Sequence, residues 1–307
     1  MKYSTSSSLS RREFLAISGA ISAVAAAGTT VNNALADEAT SDATETKKYP
    51  IGLELYSVRN ELAHDLPNTL NTVAKIGYEV VEFYSPYYKW TPAYAKDVRT
   101  QMDDLGLRCY STHNGFESFT PDGMAHAIEV NQILGTRYIV LASAPGHSND
   151  VEGWKGLCAK LTDAVEKLKP HGLKAGYHNH QAEWAKLENG QRIMEVIAAN
   201  TPQEFMLQLD VGTCVDAGSD PVAWVKANPG RVRTMHLKDW APGSNQDNKG
   251  YRVLFGEGVT PWKELIAADK SVGGAEYFLI EQEGSRFPEF ESVKRCLENY
   301  KAMFGKV

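Results

Sequence analysis

From residue 50 onward the chain alternates short apolar runs with helix-like segments, and this alternation constrains the fold more than any other feature. The strand candidates are Ile51–Tyr56, Glu79–Tyr84, Leu107–Thr112, Tyr138–Ser143, Lys174–His180, Phe205–Asp210, Val232–Leu237 and Tyr277–Gln282. Their starts are 28, 28, 31, 36, 31, 27 and 45 residues apart, one strand-plus-helix unit per step with a longer excursion before the last. Continuous apolar runs suit a parallel sheet covered on both faces. Helix starts are marked by Thr91-Pro92, Thr120-Pro121, Asp220-Pro221 and Thr260-Pro261, each a capping residue followed by proline at the first helical position. Helix ends are marked by Gly77, Gly106, Gly135 and Gly172. Eight units predict a closed (β/α)8 TIM barrel over residues 50–307. A doubly wound open sheet needs no eighth unit, and no glycine-rich phosphate turn follows the first run.

The first 36 residues read as an address. Ser10-Arg11-Arg12-Glu13-Phe14-Leu15 precedes an Ala/Gly/Ser-rich run from Ala16 to Thr30, and Ala34-Leu35-Ala36 has the small-x-small form of a cleavage site. The arrangement resembles a twin-arginine (Tat) signal, which implies contact with the Tat export machinery and a periplasmic or secreted product without a stable membrane anchor. Residues 37–49 are polar, aperiodic and expected to be a disordered spacer. Cleavage after Ala36 leaves 271 residues with 29 Lys and Arg against 37 Asp and Glu, a net charge of −8. That balance opposes a nucleic-acid partner, which needs a basic face. Cys109, Cys158, Cys214 and Cys296 are widely separated within apolar or helical runs and are expected to be buried free thiols.

In a barrel of this kind chemistry gathers at the C-terminal strand ends. The fifth to eighth candidates deliver His178 and His180, Asp210, His236 with Lys238, and Glu281 there. Nitrogen and oxygen ligands converging from four neighbouring strands suit one divalent cation: Mn²⁺, Zn²⁺, Co²⁺ or Mg²⁺. His178 and His180 are two apart and project to one side, so spacing does not choose the ligand. Lys238 either binds a substrate oxygen or pairs with Asp239. Glu54, Tyr56, Glu82, His113, Glu183 and Trp184 are candidate substrate contacts, with Tyr84, Tyr87, Tyr88, Trp90 and Trp240 crowding the same rim. Aromatic faces beside carboxylates match a carbohydrate, which has apolar C–H faces and hydroxyl edges.

Gly52-Leu53-Glu54-Leu55-Tyr56, Gly77-Tyr78-Glu79-Val80-Val81-Glu82, Tyr177-His178-Asn179-His180, Leu209-Asp210-Val211-Gly212, Met235-His236-Leu237-Lys238-Asp239, Gly256-Glu257-Gly258 and Ile280-Glu281-Gln282 together resemble the xylose isomerase-like TIM barrel superfamily, and within it the sugar phosphate isomerase/epimerase branch. The resemblance implies a divalent metal on Glu, Asp, His and Glu of strands five to eight. Three of these fall on Asp210, His236 and Glu281; the first falls on His178, where epimerases carry glutamate. A metal-bound imidazole cannot serve as a carboxylate base, so a two-base epimerisation loses one partner. The expected activity is therefore a sugar isomerase or epimerase working by proton abstraction next to a carbonyl, with His180 or Glu281 as base and Lys238 as oxygen-binding cation. The alternatives are a lyase, as in dehydration or cleavage of a 3-keto-glycoside, and a non-catalytic sugar-binding protein.

Overall fold

The computed structural model describes residues 49–85, 87–144, 146, 150–243 and 250–305. The proposed Tat signal and all of the spacer except Tyr49 lie outside the described residues. Eight parallel strands form a nearly closed (β/α)8 barrel: β1 Ile51–Glu54, β2 Val80–Glu82, β3 Ser111–Asn114, β4 Tyr138–Leu141, β5 Lys174–His178, β6 Met206–Asp210, β7 Met235–Leu237 and β8 Phe278–Ile280. β1 pairs with both β2 and β8, which brings the first and last units together. Isolated bridges Val80↔Arg108 and Phe83↔Thr112 span the seam between β2 and β3.

One principal helix follows each strand: α1 Leu66–Ile76, α2 Pro92–Asp104, α3 Pro121–Leu134, α4 Val151–Leu168, α5 Ile193–Ala199, α6 Pro221–Ala227, α7 Trp262–Ala268 and α8 Glu289–Phe304. Thr91, Thr120 and Asp220 cap α2, α3 and α6 through their side chains, each worth about 1 kcal/mol. Thr260 does not cap α7; Pro261 takes that position and the Thr260 hydroxyl is left without a hydrogen-bond partner. In α4 the buried set Trp154, Cys158, Leu161, Val165 and Leu168 recurs every three or four residues, the spacing that turns one stripe onto the barrel. All four cysteines are free and buried. No described helix is long and apolar enough to cross a membrane.

Two apolar clusters divide the core. The larger fills the space between strands and helices. The smaller, Val80, Tyr138, Val140, Met206, Tyr277 and Leu279, fills the barrel interior. Side chains alternate faces along a strand, so the residue two positions on from an interior apolar side chain also points inward, one layer nearer the C-terminal mouth. Val80 leads to Glu82, Met206 to Gln208 and Leu279 to Glu281. The period of two thus stacks an ionisable layer on an apolar plug.

The third strand differs from the sequence expectation. It spans Ser111–Asn114 rather than Leu107–Thr112, which places His113 within the strand and not after it. Arg108 still exchanges hydrogen bonds with Glu79 and Val81, so the chain runs alongside β2 before it enters the ladder with β4.

Candidate metal centre at the barrel mouth

The ionisable layer is organised by a glutamine. Gln208 Oε1 accepts from His113 Nε2 at 2.8 Å and from His178 Nδ1 at 3.1 Å, while its Nε2 donates to Glu82 Oε2 at 2.9 Å. An amide oxygen only accepts, so His178 carries its proton on Nδ1 and presents the Nε2 lone pair. That atom lies 3.9 Å from Asp210 Oδ2. Burial drives His178 well below the ordinary imidazole range, with His236 and His113 adding to the effect, so it is neutral. Sequence reasoning alone misses Gln208; its signal is a polar side chain in register with Asp210 inside the otherwise apolar Met206–Leu209 run.

His236 sits between two carboxylates, Nδ1 at 2.7 Å from Glu281 Oε2 and Nε2 at 2.7 Å from Glu82 Oε1. Burial works against its charge, but Glu82 and Glu281 hold its pKa well above the usual value. Glu82, despite complete burial, is held down at about 2 by His113 and His236, and Ser111 donates a further hydrogen bond.

Lys238 projects from just past β7 and is only 3% exposed. Its Nζ lies 3.1 Å from Asp210 Oδ2, 3.6 Å from Glu281 Oε1 and 2.5 Å from Glu283 Oε1. Against burial, these three carboxylates keep it charged. The alternative pairing with Asp239 does not occur. Asp239 accepts instead from the backbones of Trp240, Gly256 and Gly258 and from Trp262 Nε1, each at 2.9 Å, and so ties the Gly256–Gly258 turn to β7. A side chain at Gly258 would run into the Asp239 carboxylate. Asp239→Ala leaves the buried Trp262 Nε1 and three part-buried backbone donors unpaired; we expect a loss of about 2–4 kcal/mol in urea unfolding. A midpoint within error of wild type would show the turn is held by other contacts.

Asp210 ends β6 and begins the short helix Val211–Asp216: Oδ1 caps Thr213 N at 3.0 Å and Oδ2 faces Lys238. Asn179 clamps its backbone, accepting from Asp210 N and donating to Asp210 O. Gly212 is required by proximity, since a Cβ there would stand 2.9 Å from Lys238 O and 3.0 Å from its Cγ. The Asp-Val-Gly and His-Asn-His motifs are thus parts of one joint.

A cavity of about 390 Å³ opens above this layer, with Glu54, Tyr56, His113, His178, His180 and Glu281 in its wall. Tyr56 lies on the turn after β1 rather than on the strand. Glu54 accepts from Tyr56 N through Oε2, and its buried Oε1 has no partner. Burial raises Glu54 well above the ordinary carboxylate value, with Glu281 and Glu82 reinforcing the shift and His236 opposing it. His180 is exposed, its ring 4.9 Å from that of His178 and its backbone N–H bonded to Glu183 Oε2. Two expected substrate contacts turn away from the cavity. Glu183 is buried and fixed by Tyr177 and His180, and Trp184 packs edge-on against Trp224 at 5.1 Å. The 3-10 turn Gln181–Trp184 rotates both into the layer behind the strand. Lys238 and Glu82, also expected to touch substrate, are buried and are not in the cavity wall.

The residues fit a divalent ion. Donor atoms of His178, Asp210 and Glu281 lie within 4.8 Å of one another, as do those of His113, His178 and His236. The two groups share His178 alone, and His236 is held at both ring nitrogens, by Glu82 and by Glu281.

A (β/α)8 barrel with histidines and carboxylates gathered at its C-terminal mouth defines a broad class of enzyme scaffolds. The chain belongs to the xylose isomerase-like TIM barrel family, whose profile matches residues 70–302. An inosose dehydratase of Mesomycoplasma hyopneumoniae (strain 7448) is 23% identical over 217 residues, 65% of this chain and 71% of that protein. The "Putative L-ribulose-5-phosphate 3-epimerase SgbU" of Escherichia coli (strain K12) is 26% identical over 230 residues, 67% and 77% of the two chains. A crystal structure of a sugar phosphate isomerase/epimerase from Parabacteroides distasonis superposes with a TM-score of 0.70 at 26% identity, covering 87% of this chain and 99% of that one. Two more distant folds carry metals: the IOLI protein with zinc (TM-score 0.63, 16% identity, 82% and 97% covered) and a Mycobacterium smegmatis barrel with magnesium (0.64, 12%, 84% and 97%).

Proposed function

We propose that this chain is an exported, divalent-metal-dependent enzyme that removes a proton next to a carbonyl on a carbohydrate and then expels a β-oxygen substituent. The observation that carries the reading is the neutral His178, bonded to Gln208 through Nδ1 and offering Nε2 where a two-base epimerase would need a carboxylate. His178, Asp210, His236 and Glu281 would hold the ion. When bound it supplies Lewis acidity toward the carbonyl and hydroxyl oxygens of the sugar. His180, exposed on the wall, is placed to take the α-proton. Glu281 is a poor base: burial would raise it, but Lys238 and His236 hold it well below the usual carboxylate value. Glu54, its acidity weakened by burial and one oxygen without a partner, would protonate the departing group. The C–H and C–O bonds break, a C=C bond forms, and water or an alcohol leaves. Dehydratase names among the relatives support this outcome, and the epimerase name supports the second reading, in which the enolate is reprotonated to give isomerisation or epimerisation.

The test is turnover of keto-sugars in D₂O followed by NMR. Deuterium entering the α-carbon together with release of the leaving group is expected. Exchange without release selects isomerisation, and turnover of a substrate without an α-hydrogen overturns the scheme. Export rests on Arg11 and Arg12 before the Ala-rich run. A reporter fused after residue 45 is expected outside the cytoplasm, and Arg11→Lys with Arg12→Lys should retain it; unchanged export of the double variant would refute the Tat assignment.

A further inference from the structure

A second cavity, of about 430 Å³, adjoins the first. It lies between the Leu62–Pro67 segment that leads into α1 and the segment from the end of β2 to the first turn of α2, and Tyr84 is in the wall of both cavities. The Tyr84 ring meets that of Tyr56 edge-on at 5.1 Å, so the two tyrosines form the partition. Beyond it, Trp90 is fixed as a platform by edge contacts with Phe83 at 5.0 Å, Tyr87 at 6.0 Å and Tyr94 at 5.2 Å. Tyr87 is anchored at its hydroxyl, which lies 2.8 Å from Thr112 Oγ1 and 2.5 Å from Asn114 Oδ1 and accepts from Asn131 Nδ2 at 3.0 Å. Tyr94 is 42% exposed at the outer lip and Tyr56 38% exposed at the inner one. Asp65 stands on the far lip with one oxygen committed to capping Asn68.

Each cavity lies toward the lower end of the size range of small-molecule sites, about 300–1,000 Å³. The first is walled by Glu54, His180 and two of the proposed metal ligands, His178 and Glu281. The second has no such groups among the described residues that wall it, apart from His64 and Asp65 at its lip. It offers aromatic faces ringed by hydroxyl and carboxylate edges, which suits binding of a polyol ring rather than reaction with it. We propose that the second cavity is a sugar-ring subsite, so that the substrate is a two-ring glycoside whose reacting ring lies over His178 and whose leaving ring lies on Trp90, with the linkage crossing Tyr84. This rests on the elimination reading above and extends it: the expelled alcohol is itself a sugar.

The experiment is equilibrium binding to the metal-loaded full chain, read by tryptophan fluorescence and ligand-detected NMR, with glucose and methyl glucoside against cellobiose and maltose. At least one two-ring sugar is expected to bind about tenfold more tightly than the single rings. Tyr94→Ala, at an exposed position that should leave folding intact, and Trp90→Ala should erase that difference. Equal binding of one- and two-ring sugars, no binding of either two-ring sugar, or a preference that survives both variants would overturn the proposal. Deuterium exchange into a single-ring keto-sugar by the unmodified protein does not require the second cavity and tests the chemistry alone. Failure of the chemistry is thereby separated from failure of the subsite.

Discussion

Asp210→Asn is expected to abolish turnover and to lower divalent-metal affinity by more than about 100-fold, the upper range for losing even an indirect support of a ligand. The amide is isosteric and keeps the oxygen that caps Thr213 N at 3.0 Å, so the short helix after β6 should survive. What is lost is the charge that faces Lys238 at 3.1 Å and His178 at 3.9 Å. Asp210→Ala is a poorer test, because it also removes the oxygen that caps Thr213 N, at a cost of about 1 kcal/mol, and so confuses folding with binding. Metal content of the purified protein, and the rise in melting temperature on adding Mn²⁺ or Zn²⁺, provide the readout. Wild type should be stabilised by mass action and the variant should not. Stoichiometric metal retained in Asp210→Asn, His178→Gln and Glu281→Gln alike would remove the centre from consideration.

His180→Gln is expected to lower kcat by about 10²–10⁴-fold, the usual contribution of a positioned general base, with metal content, melting temperature and KM near wild type. The separation comes from placement. His178 is locked in the buried network through Gln208, whereas His180 is exposed on the cavity wall, its ring edge-on to that of His178 and its backbone N–H held by Glu183. Loss of metal from His180→Gln would show that it ligates rather than abstracts. Activity within a few-fold of wild type would move the base to Glu283, the remaining wall carboxylate, which burial raises above its ordinary value.

The repeat of short apolar runs determined the barrel, because only helices on the outside can cover eight consecutive parallel strands, and the mouth then collects the side chains at the C-terminal end of every run. His178, Asp210, His236 and Glu281 were legible for that reason: each stands at the end of a run that had to be a strand, and strand ends share one rim. The period of two also placed Gln208 and Glu82 in that layer, but nothing in the sequence said that one amide would bridge His113, His178 and Glu82. Such a bridge depends on four strands, β2, β3, β5 and β6, meeting at one radius. The same limit explains Lys238, whose neighbour Asp239 was a reasonable partner by proximity in sequence. The strand end directs Lys238 to the barrel axis and Asp239 outward to the Gly256–Gly258 turn, since successive side chains alternate faces. It explains Glu183 and Trp184 as well, which belong to the right loop but are turned behind the wall by one 3-10 turn. Residue type and spacing specified which groups reach the mouth of the barrel. Which of them carry charge, which proton sits on which nitrogen, and which ring faces a cavity were decided only by the packing that buries them together.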